Sequence, residues 1–445
     1  MAAVTGIRQA IRWGLRHGLI RRAVERRVRE GDLTARLMMD PDVIADPFAH
    51  YDSLREQGRL VDNTLVLNTA HHDVSTAILR STDFGVVGGP SGRAPAALRH
   101  AVRAGGRGPL GPVEPPSMLA TDPPDHTRYR KLVTRAFSAR AVAALRSRTE
   151  EIAAALLDEM AAKGRRADLI DDYASLLPAT VIAEMLGAPV EMRRQFLEWG
   201  AGGALSLDAG LTFRQFRGSE RNLAALQDWM RGHFERIRRH PGEDILSTLV
   251  HAQSEEGRLT EDELTSIAML LLAAGFETTV NLIGNGVALL TSNPDQLALL
   301  RAEPQRWPAA VDEVLRVDSP VQRTGRIAHR DTVVAGERIS AGQVVVIMLG
   351  GANRDPAVFR DPNRFDVMRP NAGDHLAFSS GAHFCLGAGL ARMEGEVGLR
   401  ALFDRFPDLA LDGAPHRRPT RVLRGYDAMP VRLSTADVDA ATVDA

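Results

Sequence analysis

The chain has 445 residues, 44% of them hydrophobic, and its 55 basic and 56 acidic residues leave a formal net charge of −1. A chain of this length has room for about three domains, but no Ser/Gly-rich linker or internal repeat divides it, so we expect one large fold. The balanced charge excludes a bulk nucleic-acid binder. The longest apolar run, Ile267 to Phe276, is too short for a transmembrane segment. The single cysteine fits a reducing compartment, and we therefore expect a cytoplasmic protein.

A basic extension covers residues 1–39 and precedes the main domain, which we expect over 40–433. Residues 1–30 contain eight arginines and two acids, and apolar residues recur there at near-helical spacing. The extension is either a helix on a membrane surface or a helix whose apolar stripe packs on the protein body. We favour packing, because Trp13 is its only Phe, Tyr or Trp and interfacial helices carry more aromatic residues. The acidic tail, 434–445, is predicted to be disordered.

Two unusual loops interrupt the helical and strand patterns in the first half of the chain. Residues 84–118 are rich in glycine and proline, and a loop of this length is usually functional or mobile. Residues 205–216 form a second loop, rich in Leu and Phe. Each loop either contacts a ligand or serves only packing or solvent exposure. Around the loops, the pattern predicts helices at 49–58 and 223–239, a helical stretch at 127–202 with breaks near Gly164, Pro178 and 187–189, and a hairpin at 60–67.

The longest predicted helix spans 260–292 and begins with a capping box, because a threonine is followed three residues later by a glutamate. At ~1.5 Å per residue this helix is ~45 Å long, enough to cross the whole molecule. Its middle, 274–279, reads Ala-Gly-Phe-Glu-Thr-Thr, which contains poor helix formers. Thr278 can bond back to the carbonyl of Ala274, which would open a groove. The alternative is a tight helix–helix contact at Gly275.

The last third of the chain contains one further helix and most of the strand signals. Pro308 and Pro320 bound the helix, on which Glu313 and Arg316 share one face at a spacing of three residues. Strand patterns return over 332–348, and 422–433 is predicted to form a hairpin. The fold is therefore predicted to be mainly α with a minor β region.

Cys385 lies in the sequence Phe-Ser-Ser-Gly-Ala-His-Phe-Cys-Leu-Gly at 378–387. Glycines four residues before it and two after it hold the thiol on a tight loop, where backbone N–H groups can stabilise a metal-binding thiolate. The alternative is a buried structural cysteine. The spacing Phe-x-x-Gly-x-His-x-Cys-x-Gly resembles the haem-ligand loop of the cytochrome P-450 family. One departure is Ser379, where many members of that family have glycine.

The resemblance covers about Asp40 to Leu433 and implies the cytochrome P-450 fold, with a long central helix over a buried haem b. It implies that Cys385 is the metal ligand, the axial thiolate of the iron. By the same resemblance, Thr278 steadies oxygen and Glu277 helps to relay protons. The haem contacts that the resemblance implies are His126, Arg130, Ala274, Arg326, Phe378, His383, Cys385 and Gly387.

The resemblance also implies a buried structural triad and a substrate pocket. The triad consists of Glu313, Arg316 and Arg364, and it ties the chain before the haem loop to the core. The pocket walls are mostly apolar, so we expect a lipophilic small-molecule substrate. The pocket residues that the resemblance implies are Leu98, Val102, Leu271, Val321 and Thr324.

Between His126 and Thr149 the chain has seven cations and no acid. If the family fold holds, this face borders the haem on the thiolate side and would steer an acidic ferredoxin. The alternative is an ordinary solvated helix. No Gly-x-Gly-x-x-Gly fingerprint follows a strand, so electrons are expected from a separate ferredoxin and its reductase.

The expected function is that of a monooxygenase that inserts one atom of O2 into a lipophilic small molecule, by hydroxylation or epoxidation. One alternative is a peroxide-driven peroxygenase of the same fold, although such enzymes often lack the acid–threonine pair. Another is a non-catalytic haem-based sensor or ligand carrier, which would need neither that pair nor a surface for electron transfer.

Overall fold

Helices dominate the computed structural model, which describes residues 2–63, 66–87, 105–251 and 259–433. The predicted helices at 49–58, 223–239, 260–292 and after Pro308 are all present. The α-helices are α1 (Ala2–Trp13), α2 (Leu19–Arg29), α3 (Leu33–Met39), α4 (Pro41–Ala45), α5 (Phe48–Gln57), α6 (His72–Arg80), α7 (Asp125–Thr134), α8 (Ala139–Ala161), α9 (Leu176–Met185), α10 (Arg193–Leu205), α11 (Phe213–Arg239), α12 (Ile245–His251), α13 (Glu261–Ser292), α14 (Pro294–Ala302), α15 (Trp307–Val317), α16 (Leu349–Ala352) and α17 (Ala388–Arg405).

The strands are short and form small sheets, so the prediction of a mainly α fold with a minor β region is confirmed. In the largest sheet the strand order is β1-β2-β8-β5-β3. Within it β2 pairs with β8 in parallel and the other neighbours are antiparallel. The strands are β1 (Val61–Asp62), β2 (Leu67–Thr69), β3 (Phe84–Val86), β4 (Arg166–Asp168), β5 (Thr324–Ala328), β6 (Thr332–Val334), β7 (Glu337–Ile339), β8 (Val344–Ile347), β9 (Ala410–Leu411), β10 (His416–Arg417), β11 (Tyr426–Ala428) and β12 (Pro430–Arg432).

Helix α13 is the central element of the core. Its capping box is formed as predicted, since the side chains of Thr260 and Glu263 each accept a hydrogen bond from the backbone of the other. It packs against α9, α10 and α17, and most of its residues are buried. By length and composition it could cross a membrane, but 72% of its most apolar window is buried inside the protein. Its apolar character is therefore that of a core helix.

The N-terminal extension packs on the body of the protein, as we favoured. A π-helical turn, Gly14–Gly18, joins α1 to α2. Arg12 forms an ion pair with Glu220 of α11. The ring of Trp13 meets that of Phe213 edge-on, with centroids 5.6 Å apart.

The predicted break near Pro178 is present, because a π-helical turn, Ile170–Ala174, ends there and α9 begins at Leu176. Pro178 lies in the first turn of α9, where its missing N–H has no intrahelical acceptor to lose. Two other predictions about local structure are wrong. The apolar loop ends earlier than predicted, because Phe213 to Phe216 already belong to α11. The expected C-terminal hairpin is absent from the described structure, since β11 pairs with β10 and β12 pairs with β4 and β9. The tail at 434–445 lies outside the described residues.

Candidate functional site

The loop at 378–387 holds Cys385 by backbone contacts that suit a ligand cysteine. The Cys385 N–H donates to the carbonyl of Phe378 at 2.9 Å, and a backbone N–H of Gly387 bonds the sulfur. Gly381 has φ +70°, and a Cβ there would lie 2.3 Å from the carbonyl oxygen of Leu79. Only glycine fits at this position, so the motif glycine is required by the turn itself.

The chemistry of the thiol is set by burial and by nearby positive charge. Desolvation raises the pKa of Cys385, while the Gly387 N–H and the cations Arg130 and Arg392 act against that rise. The side chain is nevertheless exposed in the structure, so its sulfur can be reached by a ligand atom. A desolvated thiol of this kind becomes a thiolate when a metal cation supplies the balancing charge.

Arg326 is a buried cation without a carboxylate partner among the described residues. It donates only to Thr324 Oγ1 and the Gly325 carbonyl, and burial lowers its pKa to about 10. A buried charge left unpaired is costly, so a site of this kind is typically completed by an anion. A haem propionate has the required charge, and the residues present therefore fit the cofactor.

Two histidines lie beside this cation. The rings of His126 and His383 are 4.1 Å apart, and His383 Nε2 is buried without a hydrogen bond, 3.5 Å from Asp122 Oδ1. Desolvation, followed by the charge of Arg130, lowers the pKa of His126. Desolvation, followed by the neighbouring His126 and Arg326, lowers that of His383 to about 4. Both rings are therefore neutral at pH 7, and each can donate an N–H to an anionic group.

The middle of α13 has one accessible face on an otherwise buried helix. Leu270, Ala273, Ala274 and Thr278 are all accessible to solvent, whereas their helical neighbours Leu271, Leu272, Phe276 and Glu277 are buried. Thr278 Oγ1 donates to the Ala274 carbonyl at 3.1 Å, which confirms the predicted back-bond.

The alternative proposed for this motif, a tight helix contact, is also present. A Cβ on Gly275 would lie 2.9 Å from Cγ1 of Ile182, on α9. Gly275 therefore lets two helices approach closely, while Thr278 lies on the accessible face of α13. The two interpretations describe adjoining faces of the same helix, because residues three apart are neighbours on a helix surface.

Glu277 is buried and forms an ion pair with Arg418, which lies between β10 and β11. Arg418 also donates from Nε to the Tyr426 carbonyl at 2.9 Å. The pairing of Arg418 with Glu277 could not be predicted from the sequence, because 141 residues separate them and no local pattern links them.

Glu394, on α17, is a second acid that sequence reasoning missed. It is buried, and neither carboxylate oxygen has a hydrogen-bond partner among the described residues. Burial raises its pKa well above the ordinary value, and the neighbouring Thr279 hydroxyl only partly opposes this. Burial therefore favours the neutral form of Glu394, which lies where α17 meets the central helix.

The structural triad exists, but its third member was predicted wrongly. Arg316 donates from Nε and Nη2 to the two oxygens of Glu313, at 2.7 and 2.8 Å. The other arginine on this carboxylate is Arg369, whose Nε lies 3.1 Å from Glu313 Oε1. Arg364 has an exposed side chain, and only its carbonyl takes part, accepting from both arginines. The chain turns at Arg364, so the side chain that reaches the acid comes five residues later.

The predicted pocket residues are only partly brought together. Leu98 and Val102 lie outside the described residues. Leu271 is buried in the core and points away from the accessible face of α13. A narrow apolar cavity of about 20 Å³ is lined instead by Leu270 and Ala273, with Leu110 and Leu223 among the opposite walls.

The remaining two pocket predictions lie at the start of β5 and just before it. Val321 forms a β-bridge with Leu423, and Thr324 begins β5 and accepts a hydrogen bond from Arg326. A much larger groove, of about 920 Å³, lies between α1, α10 and α11. Neither Cys385 nor Thr278 lines this groove, so it is not the candidate active site.

The basic stretch at 126–149 forms two helices rather than one, and several of its cations are neutralised. Arg128 pairs with Glu263, Arg146 with Glu396, and Arg148 with Glu184. Arg135 and Arg140 are exposed, and the described residues supply no carboxylate within ion-pair distance of either. The positive face available to a partner is therefore centred on these two arginines.

Comparisons with known proteins show which proteins this chain is similar to. A family model described as Cytochrome P450 matches residues 224–416. Over 433 residues the chain is 49% identical to the Putative cytochrome P450 140 of Mycobacterium tuberculosis, covering 97% of this chain and 99% of that protein. It is 46% identical over 324 residues to 6-deoxyerythronolide B hydroxylase of Saccharopolyspora erythraea, covering 71% and 78% of the two chains. The crystal structure of P450BioI in complex with hexadec-9Z-enoic acid ligated Acyl Carrier Protein matches with a TM-score of 0.80 and 31% identity, over 88% of this chain and 100% of P450BioI.

Proposed function

We propose a specific reaction for this chain, which belongs to the cytochrome P450 family: insertion of one oxygen atom from O2 into a lipophilic small molecule. Membership of the family makes the chain an oxidoreductase of the monooxygenase class that uses haem b with a thiolate ligand. The reaction is a hydroxylation or an epoxidation, and its electrons come from a separate ferredoxin and reductase in the cytoplasm.

The acid–threonine pair on α13 is the observation that carries this proposal. Cys385 would hold the haem through its thiolate, Arg326, His126 and His383 would be partners for its acidic groups, and the haem would supply the chemistry that activates O2. Thr278 can donate or accept a hydrogen bond at the accessible face of α13. Glu277 lies next to it in the chain and is held in place by Arg418. A monooxygenase must deliver protons to oxygen in a site that otherwise excludes water.

We infer that Glu277 passes protons inward when its carboxylate separates from Arg418. A carboxylate fixed permanently by a guanidinium would be a poor proton donor, so the pair must open for each proton delivered. A peroxygenase needs neither this acid nor Thr278, and a haem-based sensor needs no proton delivery at all. The presence of both side chains therefore favours the monooxygenase over both alternatives.

We propose a polyketide-derived macrolactone or a fatty acyl chain as the substrate class. Two of the similar proteins are named for such molecules, 6-deoxyerythronolide B hydroxylase and P450BioI with its hexadecenoic acid. The apolar side chains of Leu110, Leu223, Leu270 and Ala273 would suit the surface of either molecule, and the cavity between them, of about 20 Å³, must open to admit one.

The proposal is tested by reconstitution with a ferredoxin, its reductase and NADPH under ¹⁸O2. Substrate candidates, a macrolactone and hexadecenoic acid first, are chosen by their ability to change the spin state of the haem. We expect a product that carries one ¹⁸O atom and a reduced, carbon monoxide-treated protein with the red-shifted Soret band of thiolate ligation. Product formation from peroxide alone, with none from O2 and NADPH, would instead identify a peroxygenase.

Electron transfer from an acidic ferredoxin is proposed to depend on Arg135 and Arg140. Replacing both with Glu makes the net charge of the exposed face four units more negative. Reduction by ferredoxin should therefore slow and lose its dependence on salt concentration. Arg148→Glu serves as a control, because Arg148 is already paired with Glu184 and Glu151. A reduction rate unchanged in the double variant would exclude this docking face.

A further inference from the structure

The narrow apolar cavity beside α13 has a roof made of two separate pieces of chain. Leu110, Gly111 and Pro112 form one side, and Leu223 and Leu226 of α11 form the other. The floor is α13, at Leu270 and Ala273, one turn or less before Ala274. A molecule that reaches the accessible face of α13 by this side must pass between the two roof pieces.

Arg12 of the N-terminal extension connects these two pieces. Its Nε and Nη2 donate to the two oxygens of Glu220 on α11, each at 2.8 Å. Its Nη1 donates to the carbonyl of Gly105, at 2.8 Å, on the segment that leads to the roof. One guanidinium therefore binds α11 and the segment at 105–112 at the same time, with the bidentate geometry that makes such pairs strong.

The ion pair is enclosed rather than lying on the surface. The side chains of Arg12 and Glu220 are only 12% and 9% exposed. Gln9 adds a further hydrogen bond to Glu220 Oε2 at 2.8 Å. A Cβ on Gly108 would lie 2.9 Å from Glu220 Oε1, so the roof segment packs directly on the pair. Charges shielded in this way are less screened by salt and water than those of an exposed bridge.

Other contacts of the extension hold the same region. Trp13 Nε1 donates to the Leu211 carbonyl at 2.8 Å, in the turn between α10 and α11. Arg16 pairs with Glu114, just past the roof segment, at 2.5 Å. The extension thus contacts the turn, the start of α11 and the roof segment. Arg12 contacts both α11 and the roof segment.

We propose that Arg12 and Glu220 are positioning residues that hold the roof closed and so set the rates at which bulky lipophilic substrates enter and leave. The role rests on the proposed function only in naming those substrates. The Arg12–Glu220 ion pair contacts neither the predicted haem contacts nor the acid–threonine pair, so the reaction at the haem should be unchanged when this ion pair is removed.

The test uses the full-length haem protein and two probes that coordinate haem iron but differ in bulk, imidazole and 1-dodecylimidazole. Stopped-flow spectroscopy gives the association and dissociation rates of each. In Arg12→Ala and in Glu220→Gln, both rates for the bulky probe should rise about tenfold, the change that ~1.4 kcal/mol of lost closure produces. The rates for imidazole should change less than about twofold, which corresponds to less than ~0.4 kcal/mol, since a small probe needs little opening.

Arg26→Ala is the matched control, because Arg26 forms its ion pair only with Glu30 at the end of the same helix. Hydrogen–deuterium exchange gives a second readout, and it should quicken at 105–112 and at the turn 206–212 in the Arg12 and Glu220 variants alone. A general loss of stability would instead quicken exchange throughout and change both probes alike, which would overturn the proposal. Unchanged rates for 1-dodecylimidazole in both variants would also overturn it, while a normal carbon monoxide spectrum would leave the proposed function standing.

Discussion

Removing Arg369 should destabilise the protein far more than removing Arg364, although sequence spacing pointed to the latter. Arg369 is 8% exposed and donates four hydrogen bonds, one to Glu313 and three to the carbonyls of residues 360, 361 and 364. Glu313 and Arg316 are fully buried, so the acid would lose one of its two cationic partners inside the core.

The expected cost of Arg369→Ala is ~3–5 kcal/mol, the usual effect of breaking a buried charge pair by removing one partner. The three carbonyls add to this, because each loses a charged donor. The cost stays within that range because Glu313 keeps Arg316 and the Asp366 N–H, at 2.9 Å. Arg364→Ala leaves its carbonyl in place and should change stability by less than ~0.5 kcal/mol.

Urea unfolding of the two haem-loaded variants, followed by circular dichroism and by the Soret band, measures both values. A matched loss in the two variants, or a loss below ~1 kcal/mol for Arg369→Ala, would refute the assignment of the triad. Arg369→Lys keeps the charge but not the planar fork, so it should recover only part of the lost stability.

Four further substitutions have expected outcomes that follow from the site. Ser379 has φ +62° and a buried hydroxyl without a hydrogen bond, so Ser379→Gly should stabilise the protein by ~1 kcal/mol in a urea melt, whereas Gly381→Ala should destabilise it. Burial raises the pKa of Glu394 above the ordinary 4.5, so as pH rises this carboxyl group loses its proton in the unfolded chain before it does so in the folded protein. The free energy of unfolding of the wild type should therefore fall above pH 4.5, by up to ~1.4 kcal/mol per pH unit. Glu394→Gln should remove this contribution to the slope above pH 4.5, and an unchanged slope would contradict a buried neutral acid. Thr278→Ala should leave the thiolate spectrum intact but divert NADPH-derived electrons to free peroxide, and unaltered coupling to product would exclude its role.

The parts of the fold that sequence predicted well are those fixed by local chemistry. The start of α13 follows from the capping pair Thr260 and Glu263, and the loop around Cys385 follows from glycines that the backbone requires. The C-terminal strands failed for the opposite reason. Both β11 and β12 read as strands, but they do not pair with each other: β11 pairs with the preceding strand β10, and β12 pairs with β9 and with the distant β4. A strand's propensity carries no information about which chain it will pair with.

The same distinction explains the site. Thr278 and Cys385 could be predicted because neighbouring residues in the sequence form the motifs that identify them. Leu271 was wrongly predicted to line the pocket, since the accessible residue on α13 is its neighbour Leu270. Three arginines were missed because the acid that each one pairs with is far away in the chain: Arg418, Arg369 and Arg12. The sequence alone does not show whether an arginine is solvated or buried. All three meet acids in enclosed surroundings, where the loss of hydration is compensated only by precise geometry. The groups that hold the site in place are therefore the ones that only the folded structure reveals.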